Sequence, residues 1–209
     1  PNGVNVNLNC GSTHIEGLKK LVKEKHLNIG FAFDGDADRI GVVTDKGLMI
    51  SGDRLMALFW KEILPKHPGA VGICEVKASL CLPEVIERLG GKVVWGASGH
   101  SLIKAKMREL KALFSGEVSG HICFADEYYG FDDALYASGR LARYMSNSKL
   151  TLSEELADIP VYPITIETRY PCDDEIKFDV VKRLAEKAKE DFPNVLTVDG
   201  ARIQYDMGW

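Results

Sequence analysis

Apolar positions along this chain recur at helical spacing in some stretches and in short continuous or alternating runs in others, so helices and strands are expected to alternate. Leu18, Leu21 and Val22 keep helical spacing, and Thr13 with Glu16 has the spacing of a capping box, which predicts a helix opening there. Ile29 to Phe33 and Ile40 to Thr44 read as strands, the second closed by the turn Asp45-Lys46-Gly47. A helix is expected from about Asp53 to Leu64, a strand from Val71 to Val76, and a helix from Pro83 to Leu89 stopped by Gly90-Gly91. A strand from Val93 to Trp95 and a helix from Ser101 to Leu110 follow. Strands near Leu113 and from Ile122 to Phe124 precede a helix from about Asp132 to Met145.

Ser146-Asn147-Ser148-Lys149 reads as a linker. Beyond it the pattern predicts a short helix, a strand alternating Ile164 and Ile166 with Thr165 and Glu167, an amphipathic helix from Asp174 to Asp191, and a strand pair around Asp199-Gly200. Short connections between alternating elements predict an α/β fold, a mainly parallel mixed sheet with flanking helices.

Composition narrows the class. Of 209 residues 45% are hydrophobic and 27% charged, a balance that supports a packed core and argues against disorder. The net charge of -4 comes with Lys and Arg scattered among acids, so nucleic acid is not expected as a partner. The longest apolar runs fall far short of a membrane span, and no membrane partner is expected. Cys10, Cys74, Cys81, Cys123 and Cys172 are odd in number and never paired as CxxC, which reads as thiols of a reducing, cytoplasmic protein. The chain opens on Pro1-Asn2-Gly3 and stops at Gly208-Trp209, and it reads as a piece of a longer protein.

The densest chemistry lies in Gly30-Phe31-Ala32-Phe33-Asp34-Gly35-Asp36-Ala37-Asp38-Arg39. Three carboxylates at every second position follow an apolar strand, and Gly35 lets the backbone bend. Oxygen-only donors favour a hard cation, Mg²⁺ or Ca²⁺. A calcium-sensor loop is excluded, because counting from Asp34 its sixth and twelfth positions hold Arg39 and Asp45, not Gly and Glu. A phosphatase forming an aspartyl-phosphate on Asp34, with Asp36 as acid/base, is a second reading, although Asp38 departs from that motif.

A second cluster is Gly116-Glu117-Val118-Ser119-Gly120-His121, between two expected strands. Its carboxylate and hydroxyl suit sugar hydroxyls, and His121 suits proton movement near neutral pH; a plain hairpin turn would look similar. Lys77 follows the strand ending Cys74-Glu75-Val76, at a carboxyl end where α/β sheets bind ligands. Ser98-Gly99-His100-Ser101 sits at the equivalent place after Val93 to Trp95, where Ser98 or Ser101 would equally serve as a simple helix cap.

Taken in order, Asp34-Gly35-Asp36-Ala37-Asp38-Arg39, Val76-Lys77, Ser98-Gly99-His100 and Gly116-Glu117-Val118-Ser119-Gly120-His121 resemble the motifs of the α-D-phosphohexomutase superfamily over essentially the whole chain. The resemblance implies the end of a second domain with the metal loop over residues 1–48, a third domain with the sugar loop over 49–150, and a linker with the start of a fourth domain over 151–209. It implies a mutase moving phosphate between the 1- and 6-positions of a hexose through a phosphoserine and a bisphosphorylated sugar. Asp34, Asp36 and Asp38 would hold Mg²⁺ and Arg39 would support the transferred phosphate. Ser98, Gly99, Glu117 and Ser119 would bind the sugar, and Lys77, His100 and His121 would be candidates for moving its proton.

The family's phosphoserine and phosphate-binding loops would lie outside this stretch, so the chain is expected not to turn over alone. Gly99-His100-Ser101-Leu102-Ile103-Lys104 and Tyr129-Gly130-Phe131-Asp132-Asp133 are similar to the phosphomannomutase/phosphoglucomutase group. Asn9-Cys10-Gly11-Ser12-Thr13-His14 is similar to phosphoglucosamine mutases. A non-catalytic module binding sugar phosphate or metal is the alternative of another class.

Overall fold

The computed structural model describes residues 3–165, 167–205 and 208–209. Its first unit is a sheet of β1 (Ile29–Phe33), β2 (Ile40–Thr44) and β3 (Met49–Ile50), backed by helix α1 (Glu16–Glu24). Alternation along β2 explains both faces. Ile40 and Val42 turn to the main core, while Val43 packs with Ile15 and Val22 under α1. Helix α1 does not begin on the expected capping box. Its N-cap is Ile15, and the Thr13 hydroxyl meets His14 Nδ1 at 3.2 Å instead. Burial of Ile15, 3% exposed, fixes where the helix starts.

The second unit is an α/β/α stack. Strands β4 (Val71–Glu75) and β5 (Lys92–Gly96) run parallel, joined by helix α3 (Cys81–Arg88). The hairpin β6 (Phe114–Gly116) and β7 (Ile122–Phe124) lies beside β4, where Ser115 Oγ donates to the Ile73 carbonyl. Helix α4 (His100–Leu110) covers one face through Ile103 and Met107, packed on Ile73 and Cys123. Helices α2 (Gly52–Ile63), α3 and α5 (Ala134–Asn147) cover the other, around Phe59, Trp60, Phe114 and Phe124. In β7 the neighbours Cys123 and Phe124 face opposite layers, as strand geometry requires.

The α/β class is as expected, but among the described residues parallel pairing is confined to β4–β5. The pairs β1–β2, β2–β3 and β6–β7 are antiparallel, because their connections are too short for a parallel crossover. The first half of the expected linker is helix, since α5 runs to Asn147. Thr151 then caps the short helix α6 (Leu152–Glu155) in a full capping box with Glu154. Leu152, Leu156 and Ile159 belong to the main core, and Arg54 donates to the Leu156 and Ile159 carbonyls. The strand expected at 164–167 is not formed among the described residues, and Ile166 lies outside them. Helix α7 (Lys177–Asp191) and the antiparallel pair β8 (Val195–Leu196) and β9 (Arg202–Ile203) complete the chain.

A candidate metal and sugar-phosphate site

The acidic run forms the turn between β1 and β2. Asp34 directly follows β1 and is buried, with Arg39 N donating to its Oδ1 at 3.1 Å and Arg39 Nε to its Oδ2 at 2.6 Å. Ala37 carries φ +59°, a left-handed conformation that a residue with a Cβ adopts only when its surroundings hold it. The hold comes from α5, whose first N–H donates to the Ala37 carbonyl at 3.0 Å. That helix is capped by Asp133, which accepts from Tyr136 N. The turn thus gathers carboxylate oxygens of Asp34, Asp36 and Asp38 within 4.8 Å of one another.

Electrostatics separates the three. Burial works against the Asp34 carboxylate, but the hydrogen bonds and charge of Arg39 outweigh it and keep the carboxyl below its ordinary value. Burial pushes Asp38 up; His121 opposes the rise, and Asp34 and Asp36 reinforce it. Such crowded carboxylates, all oxygen donors, suit a hard dication.

The second cluster, Glu117 to His121, is the β6–β7 turn, and it faces the acidic turn directly. Ile40 N donates to the Gly120 carbonyl at 3.1 Å, and an isolated antiparallel bridge pairs Arg39 with His121. Gly120 is required here. Its φ is +101°, and a Cβ would stand 2.6 Å from the Ile40 carbonyl oxygen. His121 Nε2 lies 3.8 Å from Asp38 Oδ2, which brings the two turns together across the site.

Helix α4 enters from the third side. Gly99 is its N-cap with φ +122°, and neither Ser98 nor Ser101 caps it. Glu117 Oε1 accepts from Gly99 N at 2.7 Å, placing a carboxylate on the positive end of the helix. His100 opens α4, and its ring meets that of His121 edge-on at 4.7 Å. Both imidazoles face Asp132: His100 Nδ1 at 2.5 Å and His121 Nδ1 at 3.4 Å from Oδ2, while Lys104 Nζ donates to Oδ1. Burial would raise the Asp132 carboxyl, but these hydrogen bonds from Lys104 and His100 bring it down to about 2.

Other expected residues stand at the margin. Lys77 is half-exposed, 3.6 Å from Glu75 and 3.8 Å from Glu167, in a cleft of about 690 Å³ lined also by Val76, Val118, Arg202 and Trp209. Ser98 donates to Glu75 Oε1 at 2.6 Å, and Ser119 sits exposed at the turn. Sequence reading assigned no role to Glu75, Lys104 or Asp132. Glu75 is wholly buried, and through Oε1 from Ser98 and Oε2 from Val118 N it ties the strand end to both loops. A charged residue ending the apolar run Val71-Gly72-Ile73-Cys74 was its signal, since a buried carboxylate needs partners.

An α/β/α stack with an acidic turn and a Glu/His hairpin closing on one another defines the phosphohexomutase class of fold. Residues 51–162 match the family model "Phosphoglucomutase/phosphomannomutase, alpha/beta/alpha domain III", and the chain belongs to that family. It is 40% identical over 196 residues to a phosphomannomutase/phosphoglucomutase of Pseudomonas putida, covering 94% of this chain and 42% of the relative. A phosphoglucomutase of Neisseria gonorrhoeae is 38% identical over 198 residues, covering 94% and 43%. The crystal structure of a phosphoglucomutase/phosphomannomutase family protein from Burkholderia thailandensis superposes with a TM-score of 0.82 at 38% identity, covering 92% of this chain and 41% of that one. The chain therefore spans less than half the length of the curated relatives it matches.

Proposed function

We propose that this chain carries the metal- and sugar-binding part of an Mg²⁺-dependent phosphohexomutase, interconverting the 1- and 6-phosphates of mannose and glucose through a phosphoserine and a bisphosphorylated sugar. The observation that carries this reading is the meeting of the Asp34–Asp38 turn with the Glu117–His121 turn in one cluster. The names of the relatives support mannose and glucose as the sugars. Residues 1–48, 49–150 and 151–209 are read as the end of a second domain, a third domain, and the start of a fourth, with the 152–159 segment packed on the third.

Asp34, Asp36 and Asp38 would hold Mg²⁺, a group their all-oxygen donor set fits. The bound ion supplies positive charge against a phosphoryl group in transfer. Arg39 adds a guanidinium beside the same turn, held by Asp34 and Asp38. Ser98, Gly99, Glu117 and Ser119 address the sugar; Glu117 keeps Oε2 free of the Gly99 bond for a hydroxyl. Lys77, His100 and His121 are the groups for moving its proton. His121 Nδ1 is buried without a hydrogen-bond partner, which supports a role that a substrate completes.

Two binding experiments test the reading. Calorimetry with Mg²⁺ should give heat with the wild type and little with Asp36→Ala; equal heats would rule the metal site out. Glucose 1,6-bisphosphate should then bind the Mg²⁺-loaded chain and bind Glu117→Gln more weakly, while tighter binding of glucosamine 6-phosphate than of mannose 1-phosphate would change the sugar. No turnover is expected from the chain alone, because Ser12, Ser51 and Ser79 occupy loop or helix-flanking positions, Ser101 lies within the first turn of α4, and Ser119 belongs to the sugar turn. Turnover insensitive to Asp36→Ala would place the chemistry in other residues.

A further inference from the structure

We propose that Asp38, His100, His121 and Asp132 form a second divalent-metal site, selective for an imidazole-preferring ion such as Zn²⁺ and adjacent to the acidic turn. One donor atom from each of the four lies within 4.8 Å of the others. Two imidazoles and two carboxylates are a zinc donor set, whereas Mg²⁺ prefers oxygen alone. The acidic turn and this cluster therefore differ in chemistry although they touch.

Geometry favours a site over a chance encounter of side chains. The four residues come from four separate segments: the β1–β2 turn, the first turn of α4, the start of β7 and the approach to α5. Backbone bonds fix three of them. Ile40 N to Gly120 O and the Arg39–His121 bridge join the first and third, and a Cys123–Asp132 bridge ties in the fourth. Tetrahedral zinc with ligands at about 2.0–2.1 Å spaces its donor atoms by roughly 3.4 Å. One imidazole gives one nitrogen to one ion: through Nδ1 His121 already stands 3.4 Å from Asp132 Oδ2, while Asp38 Oδ2, 3.8 Å from the ring's other nitrogen, has to swing round the imidazole to share that ion. The 2.5 Å contact of His100 Nδ1 with Asp132 Oδ2 must also open, by side-chain rotation, as the ion replaces the proton shared there and that proton leaves to solvent.

Charges and free lone pairs agree. Two carboxylates balance a dication, and Lys104 occupies only Oδ1 of Asp132, leaving Oδ2 toward the histidines. Asp38 turns Oδ1 toward Arg39 and keeps Oδ2 on the side of His121. His121 Nδ1 is buried and makes no hydrogen bond, a cost that a ligand removes. An ion here would hold both imidazoles, and zinc should then inhibit at saturating Mg²⁺. That consequence rests on the function proposed above; the binding itself does not.

The test is Zn²⁺ calorimetry in excess Mg²⁺, in a Cys10→Ser/Cys172→Ser background because those two thiols are exposed and would compete. One zinc should bind, and His100→Gln and His121→Gln should each weaken it by roughly tenfold to a hundredfold, while Asp36→Asn leaves it unchanged. X-ray absorption at the zinc edge of the wild type reads the ligands without any histidine variant, and two imidazoles with oxygen ligands are expected. Unchanged affinity in both histidine variants, loss only in Asp36→Asn, or a zinc shell without imidazole would each overturn the proposal. Failure of the Mg²⁺ site shows instead as Mg²⁺ heats insensitive to Asp36→Ala, which these zinc measurements do not depend on.

Discussion

Asp132 shows how much one carboxylate can hold. Its side chain is 6% exposed and receives Lys104 on one oxygen and His100 on the other. Replacing it by Asn removes a charge from both bonds, and charge-assisted hydrogen bonds contribute about 1.5–3 kcal/mol each way of counting. Asp132→Asn should therefore lower stability by about 2 kcal/mol in urea denaturation at neutral pH. The pH dependence has a definite sign. A carboxyl lowered from 3.8 to about 2 on folding adds stability above the upper value and loses it as the pH falls through the lower. The gap between wild type and Asp132→Asn should close on acidification across that window; a constant gap down to pH 2 would show that the charge contributes nothing.

At the scale of elements, Arg140 binds the end of β7 and its following loop to two helices. Standing on α5 with a side chain 1% exposed, it takes both oxygens of Asp126 and one of Glu62 on α2, over the face of Phe124. Burial disfavours both carboxylates, yet their bonds to Arg140 leave each below its ordinary value. Arg140→Ala strands the buried Asp126 carboxylate and takes one of three cationic partners from Glu62, and such a loss costs about 3–5 kcal/mol. Chemical denaturation should read a fall of that size, and the variant should regain part of it as acid neutralises Asp126 and Glu62. The elements themselves were largely legible in the sequence, because β2, β4, β7, α2 and α5 each run at a single period. What escaped was long-range. The start of α1 is decided by burial of Ile15 and not by Thr13, and the short helix expected after the 146–149 linker turns out to pack into the main core through Leu152 and Leu156. The acidic turn, Lys77, His100 and the Glu117–His121 turn stood out as motifs, whereas Glu75 and Asp132 act only through residues distant in sequence.

Across the whole molecule, the terminal hairpin is fastened by Arg202. Its guanidinium donates to the Val76 and Ala78 carbonyls, just past the end of β4, and stacks on Trp95 and Trp209. Burial without a carboxylate partner brings it down to about 10. Arg202→Ala should release the β8–β9 pair: amide exchange should speed up over 195–205 while β4 and β5 keep their protection. Unchanged exchange over 195–205 in Arg202→Ala would mean that the hairpin is held by other contacts. The tie between Ile40 and Gly120 has the opposite character, since it welds the acidic turn to the Glu117–His121 turn through main chain. These two walls cannot slide past each other to suit one end of a ligand and then the other. Under the function proposed above, a bisphosphate that offers each of its ends in turn would have to tumble within a fixed frame, and the slow coordinate of such a cycle would belong to the guest rather than to these walls.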